Sequence, residues 1–147
     1  MSEVIINQIP TFEKGTVEHL RTTTTENVLY NLAMEISEIL NKWNTNVAFF
    51  SLTNNSEALK ARVKNNSATA RLYTVDQKNP DINVILRKAQ GMVNRRFVRA
   101  IAIEGLPGEL DESTQRLLEE WTKSHNCTML LGGRVDRSYF DQFLNGN

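Results

Sequence analysis

The sequence predicts an α/β domain: a mostly parallel sheet of about five strands with helices packed on both faces. Two observations carry this. Compact apolar runs alternate regularly with segments whose apolar residues recur every three or four positions. The runs are also near-continuously apolar instead of alternating with polar residues, as strands covered on both faces are. At 147 residues the chain suffices for one domain with its own core. We therefore read residues 1–147 as a single three-layer domain, with residues 1–8 and 145–147 as flexible ends.

Val17–Leu20 is the first, short strand. From Val28 the apolar residues Leu29, Leu32, Ala33, Ile36, Ile39, Leu40 and Trp43 form one helical stripe. "NVAFFSL", residues 46–52, reads as a buried strand. A helix follows, with Ser56 as its cap and Leu59, Arg62 and Val63 at helical spacing. "ARLYTV", residues 70–75, is the third strand. Pro80 and Asp81 are good first-turn residues for a second striped helix through Ile82, Ile85, Leu86, Ala89, Met92 and Val93. "RAIAIEG", residues 99–105, is a strand ending in an acid. The helix in "DESTQRLLEEWTKSH" turns Leu117, Leu118 and Trp121 inward. "CTMLLGG" is the last strand, and Asp136 caps a short helix through Tyr139, Phe140, Phe143 and Leu144.

Composition excludes several classes. The chain is 40% hydrophobic and 23% charged, like ordinary globular proteins. With 17 basic and 17 acidic residues its net charge is zero, so no global field favours nucleic acid or a membrane. The single cysteine, Cys127, rules out an intrachain disulfide and a cysteine metal cluster, and reads as an inert core thiol. The start lacks a basic segment followed by an apolar run, and no apolar stretch approaches ~18 residues. The expectation is a cytoplasmic protein with no membrane contact.

In parallel sheets ligands bind beyond the carboxyl ends of strands. Here those ends are Leu20–Asn27, Thr53–Ser56, Val75–Asn79, Glu104–Gly108 and Gly132–Asp136. "RTTTTEN", residues 21–27, stands where a phosphate loop would. Such a loop needs glycines that turn backbone N–H groups inward, a lysine for the outer phosphates and a hydroxyl for magnesium. This stretch has neither glycine nor lysine. Glu26 repels phosphate, and β-branched threonines fit left-handed backbone poorly. The residues suit a hydroxyl-capped helix start with an acidic first turn. Weak anion binding at that helix N-terminus is the alternative.

Glu104 ends a buried strand, as acids at metal-bound phosphate sites do. The plainer reading is an acid at an exposed strand end, followed by a turn at "LPGE". His19 and His125 have no metal-ligand spacing, and no serine elbow or triad is present. Arg95, Arg96 and Arg99 flank Phe97 in "RRFVR". They suit a cation-rich helix C-terminus, with nucleic-acid contact as the alternative. Arg134 and Arg137 form a second cationic pair at the sheet's carboxyl edge.

Taken in order, the segments resemble the ATPase core of DnaB-type replicative helicases. "VAFFSLTNNSEALKARV", residues 47–63, is similar to that family's "VLFFSLEMSxEQLxxR". "RLYTVDQKNPDINVILRKAQGMVNRR" is similar to its "IYIDDxPxxxxxxIRxKARRxK". "IAIEGLPGEL" sits where its Walker B segment reads like "VIDYLQLM", and "TMLLGGRVDR" resembles "VIALSQLxR". The segment from Ile9 to Ser37 follows the layout of the family's phosphate-loop region. The likeness spans roughly residues 9–137 and rests on the order of motifs.

The resemblance implies a three-layer αβα RecA-like core whose chemistry is degenerate. Thr24, Thr25, Glu26 and Asn27 occupy the vestigial phosphate-loop positions, and Thr53 stands at the family's catalytic glutamate. Glu104 takes the Walker B aspartate's place, and the γ-phosphate-sensing glutamine falls near Gly133. Ending at Asn147, the chain would be a truncated copy, short of the arginine-finger strands and lacking the N-terminal primase-binding domain. Losing lysine, glutamate and sensor together removes phosphate positioning and water activation. The expectation is a pseudo-ATPase with no catalytic residue, no metal and no cofactor, serving DNA replication as an interaction module. Its partner would be a helicase-like protein or a second copy. Arg134, Arg137, Arg95 and Arg96 are the candidate partner or nucleic-acid contacts. The alternative is a minimal helicase ATPase that binds ATP and magnesium through an atypical loop.

Overall fold

The computed structural model describes residues 16–79 and 81–135. Five strands and four helices alternate along the chain. The strands are β1 (Thr16–Thr22), β2 (Asn46–Ser51), β3 (Leu72–Asp76), β4 (Val98–Pro107) and β5 (Thr128–Arg134). The helices are α1 (Thr25–Lys42), α2 (Ser56–Arg62), α3 (Ile82–Arg96) and α4 (Glu112–His125). The strands form one all-parallel sheet in the order β1-β5-β4-β2-β3. This is the α/β class expected, in a three-layer, RecA-like arrangement.

The pleat sends alternate residues of each strand to opposite faces. Val47, Phe49, Ala100, Ala102 and Leu130 meet α1 and Leu59 of α2 on one face. Ala48, Phe50, Ile101, Ile103, Met129 and Leu131 meet Ile85 of α3 and Leu118 of α4 on the other. Phe49 and Phe50 are thus both fully buried, in different cores. Burying each contributes roughly 1.5–3 kcal/mol. The chain moves from β1 across to β2 and β3 with helices on one face. It then returns through β4 and β5 with helices on the other, as right-handed crossovers require. The connections from β2 and β4 therefore diverge, leaving a crevice above their carboxyl ends.

Helix α1 does begin as read, with Thr24 as its hydroxyl cap and Glu26 in an acidic first turn. Several boundaries differ from the sequence reading. Ser56 is not a cap but the first residue of α2: its N–H and hydroxyl both donate to the Asp76 carboxylate, at 3.1 and 2.7 Å. Asp81 is the N-cap of α3 and not a first-turn residue, accepting from the Asn83 N–H. Trp43 follows the last turn of α1 and is 37% exposed, and Leu117 is 38% exposed; neither belongs to the core. Strand β4 runs on through Leu106 and Pro107, so the turn starts only at Gly108. Cys127 is buried just before β5, and burial pushes its thiol up to about 11, as befits an inert core thiol. Pro80 and the helix expected after Asp136 lie outside the described residues.

Candidate functional site

The crevice opens into a cleft of about 370 Å³ above the carboxyl ends of β2, β4 and β5. Thr25, Thr53, Glu104, Gly105, Gly132 and Arg134 are among its lining residues. The fold thus brings Thr25, Glu104 and Arg134 together. Thr24, Glu26 and Asn27 flank Thr25 without lining the cleft. Arg95 and Arg96 lie elsewhere, in the last turn of α3. Arg137 and residues 1–8 and 145–147, read above as ends of the domain, lie outside the described residues.

Glu104 is 3% exposed, against the expectation of an acid at an open strand end. Strand β4 continues past it through a register shift between Glu104 and Leu106. Gly105 makes the bulge possible with φ of 111°, a conformation only glycine adopts readily. The side chain of Glu104 is held by hydroxyls from β2 and the loop after it. Ser51 Oγ donates to Oε1 at 2.6 Å, and Thr53 Oγ1 donates to Oε1 and Oε2 at 2.8 and 2.7 Å. These hydroxyls are fixed in turn: Ser51 Oγ accepts from the Asn55 N–H at 2.8 Å, and Thr53 Oγ1 accepts from Asn55 Nδ2 at 2.6 Å. A buried carboxylate is tolerated where such donors replace water. Among the described residues no three His, Cys, Asp or Glu side chains are grouped to hold a metal.

At the phosphate-loop position only Thr23 and Thr24 separate β1 from α1. No residue from Thr16 to Asn27 has positive φ, so the alternating backbone of an anion nest is missing there. Thr24 Oγ1 accepts from the Asn27 N–H at 3.1 Å, and the Thr22 hydroxyl donates to Thr24 O at 3.0 Å. The Asn27 N–H that a phosphate would need is thereby taken. Glu26 faces α2 and forms an ion pair with Arg62. These residues lack what a conventional ATP–magnesium site uses: the loop is short, the cap is self-satisfied and residues 21–27 hold no lysine.

The rim is tied together across strands. Arg21 Nε donates to Gly108 O at 2.6 Å, the Gly108 N–H to Arg134 O at 3.0 Å, and the Val135 N–H to Thr22 O at 2.9 Å. Glycine makes this closeness possible. A Cβ at Gly132 would stand 2.5 Å from Leu32 Cδ1, and one at Gly133 would stand 2.8 Å from Leu106 O. Gly133, at the expected sensor position, packs as backbone and presents no side chain.

The histidines take structural places. His125 stacks on Trp121, ring centroids 4.1 Å apart, with Nδ1 2.9 Å from Trp121 O. Burial, then Arg21, lowers the basicity of His19.

No family model and no curated protein matches the chain. Sequence reasoning missed the lock on Glu104. Its signal was the hydroxyl pattern Ser51-x-Thr53 at the end of the strand adjacent to Glu104.

Proposed function

We propose that the chain is a non-catalytic binding domain of RecA-like architecture, a pseudo-ATPase that works through protein contacts in a helicase or replication assembly. One observation carries the non-catalytic part. At the position where a phosphate loop would stand, two threonines close the strand–helix junction with a side-chain cap. The hydroxyl lock on Glu104 supports the same reading. The replication context rests on the order of motifs alone.

A protein-binding role is supported by the α1–α2 face. Tyr30 and Met34 are each 55% exposed there, beside a groove of about 770 Å³ that runs between the two helices. Exposed aromatic and methionine side chains beside a groove suit a protein partner more than solvent. The partner expected is a helicase-like protein or a second copy.

Titration calorimetry with ATP and magnesium tests the reading. No heat and no thermal shift are expected. Micromolar ATP binding that Glu104→Ala abolishes would overturn it in favour of an atypical ATPase. Light scattering across concentration, with a pull-down from host lysate, tests assembly. A strict monomer that captures no helicase would remove the proposed partner.

A further inference from the structure

The neutral total hides a strong segregation of charge. Residues 60–99 hold ten of the 17 Lys and Arg but two of the 17 Asp and Glu. The fold gathers most of this segment at one edge of the sheet, where β3 is the outermost strand and α3 lies beside it. Both acids are engaged: Asp76 accepts from Ser56, and Asp81 caps α3.

Along α3, Val84, Arg87, Gly91, Met92 and Arg95 recur at helical spacing, beside the stripe that enters the core. They line a groove of about 640 Å³ with Lys88 and Arg96. Arg87 and Arg95 are two helical repeats apart, about 12 Å along the axis. Asn46 joins the far end: its Oδ1 accepts from the Arg71 N–H at 2.8 Å, and its Nδ2 donates to Arg96 O at 2.9 Å. Arg71 and Arg96 therefore share a rim. Ion pairs among the described residues are Lys42–Glu38, Arg62–Glu26 and Arg116–Glu112. None engages Arg71, Arg87, Arg95, Arg96 or Arg99. The helix dipole accounts for cations in the last turn; it does not account for Arg87, Arg71 or Arg99.

Phe97 is a second, independent observation. It ends α3 in the left-handed region, φ 56° and ψ 34°, and is 72% exposed. Glycine or asparagine is the usual residue for that cap. Helix α4 ends in the same geometry with Asn126. A bulky aromatic there is strained and leaves its ring in water, and such outliers point to use. Arg95, Arg96 and Arg99 lie within two residues of it in the chain, and Arg95 and Arg96 line the groove that runs up to this helix end. Arg96 itself lies 5.3 Å above the Tyr73 ring.

We propose that the α3–β3 edge binds single-stranded nucleic acid, its phosphates along Arg87, Arg95 and Arg96 and a base stacked on Phe97. Cations that track a backbone and an aromatic platform at their end are the two parts such a site needs. An unpaired base offers the ring a free face, whereas a duplex hides it. An acidic protein surface would use the arginines and leave Phe97 without a role. The inference uses this edge alone and does not depend on the fate of the phosphate-loop position.

Fluorescence anisotropy of the whole chain with a fluorescein-labelled oligothymidylate tests it. Binding is expected at low salt, weakening with a log–log slope of about −2 for roughly three phosphates. The Arg87→Glu, Arg95→Glu double variant should bind at least about tenfold more weakly and show a flatter slope. Phe97→Gly should weaken binding about tenfold with the slope unchanged. It should melt no lower than the parent, since glycine relieves the cap, and that separates lost stacking from lost fold. No binding at low salt overturns the proposal, as does affinity unaltered by Phe97→Gly. Salt-sensitive self-association through the same arginines, without oligonucleotide binding, would overturn it and assign the edge to an acidic protein surface.

Discussion

Thr53 Oγ1 donates to both carboxylate oxygens of Glu104, at 2.8 and 2.7 Å, and so spans the crevice between β2 and β4. The contact joins the two strands whose connections leave on opposite faces. Thr53 stands where the helicase resemblance implies a catalytic glutamate, and in that place its hydroxyl holds the Glu104 carboxylate. Thr53→Val keeps the shape and removes the donor, leaving one oxygen of a buried carboxylate without its partner. The expected loss is about 1–3 kcal/mol in urea denaturation. Glu104→Gln in the Thr53→Val background should recover part of it, because a neutral amide is cheaper to leave under-bonded. Strictly additive losses would show that the two side chains are not coupled.

The same geometry separates the cap of α1 from any nucleotide role. Thr24→Ala removes the acceptor for the Asn27 N–H and should cost about 1 kcal/mol, the usual worth of an N-cap. If Thr24 is only a cap, the melting temperature falls and the calorimetric response to ATP stays flat. A gain of ATP binding in Thr24→Gly, which frees both the N–H and the backbone, would show that the cap alone closes the site.

The fold was legible because its cores are written at two clean periods. The run around Phe49 and Phe50 and the α1 stripe from Val28 to Leu40 leave little choice of element or burial. The stripe overreached at Trp43 because periodicity does not register where a helix stops. It overreached at Leu117 because a narrow helix–sheet contact buries only Leu118 fully on that turn. Strand order, the Gly105 bulge and the Glu104 lock depend on which strands become neighbours, and no local pattern carries that. The cation-rich helix end around Phe97 was read correctly, but the exposure of the ring was not legible, because it goes with a left-handed cap angle that the letter alone would argue against.

A pH dependence follows from the acidic side of α1. Burial, then Glu18 and Glu38, push the Glu35 carboxyl from 4.5 up to about 7. Burial raises Glu18 as well, and one of its buried oxygens has no hydrogen-bond partner. Between about 4.5 and 7 the folded chain therefore binds more protons than the unfolded chain. Stability should fall as pH rises through that window and level off above it. Glu35 is partly solvated, so the expected loss after screening is about 1 kcal/mol. Glu35→Gln should flatten the slope and raise the urea midpoint above neutral pH. An unchanged slope would assign the effect to other carboxyls.

Two glycines should respond to alanine with opposite sign. Gly105 holds φ at 111°, and a Cβ there would stand 2.8 Å from Leu52 Cβ and 3.2 Å from Thr53 Cγ2. The backbone has little room to yield, since the Leu52 N–H donates to Glu104 O at 2.8 Å. Conformational strain and overpacking together should make Gly105→Ala cost about 2–4 kcal/mol. Gly91 lies within α3, where a Cβ would meet only the Arg95 guanidinium, at 3.5 Å. Gly91→Ala should stabilise by about 0.5–1 kcal/mol through helix propensity. Urea midpoints of the two variants test both signs. A Gly105→Ala variant as stable as the parent would mean that the bulge relaxes, and that the position of Glu104 does not depend on it.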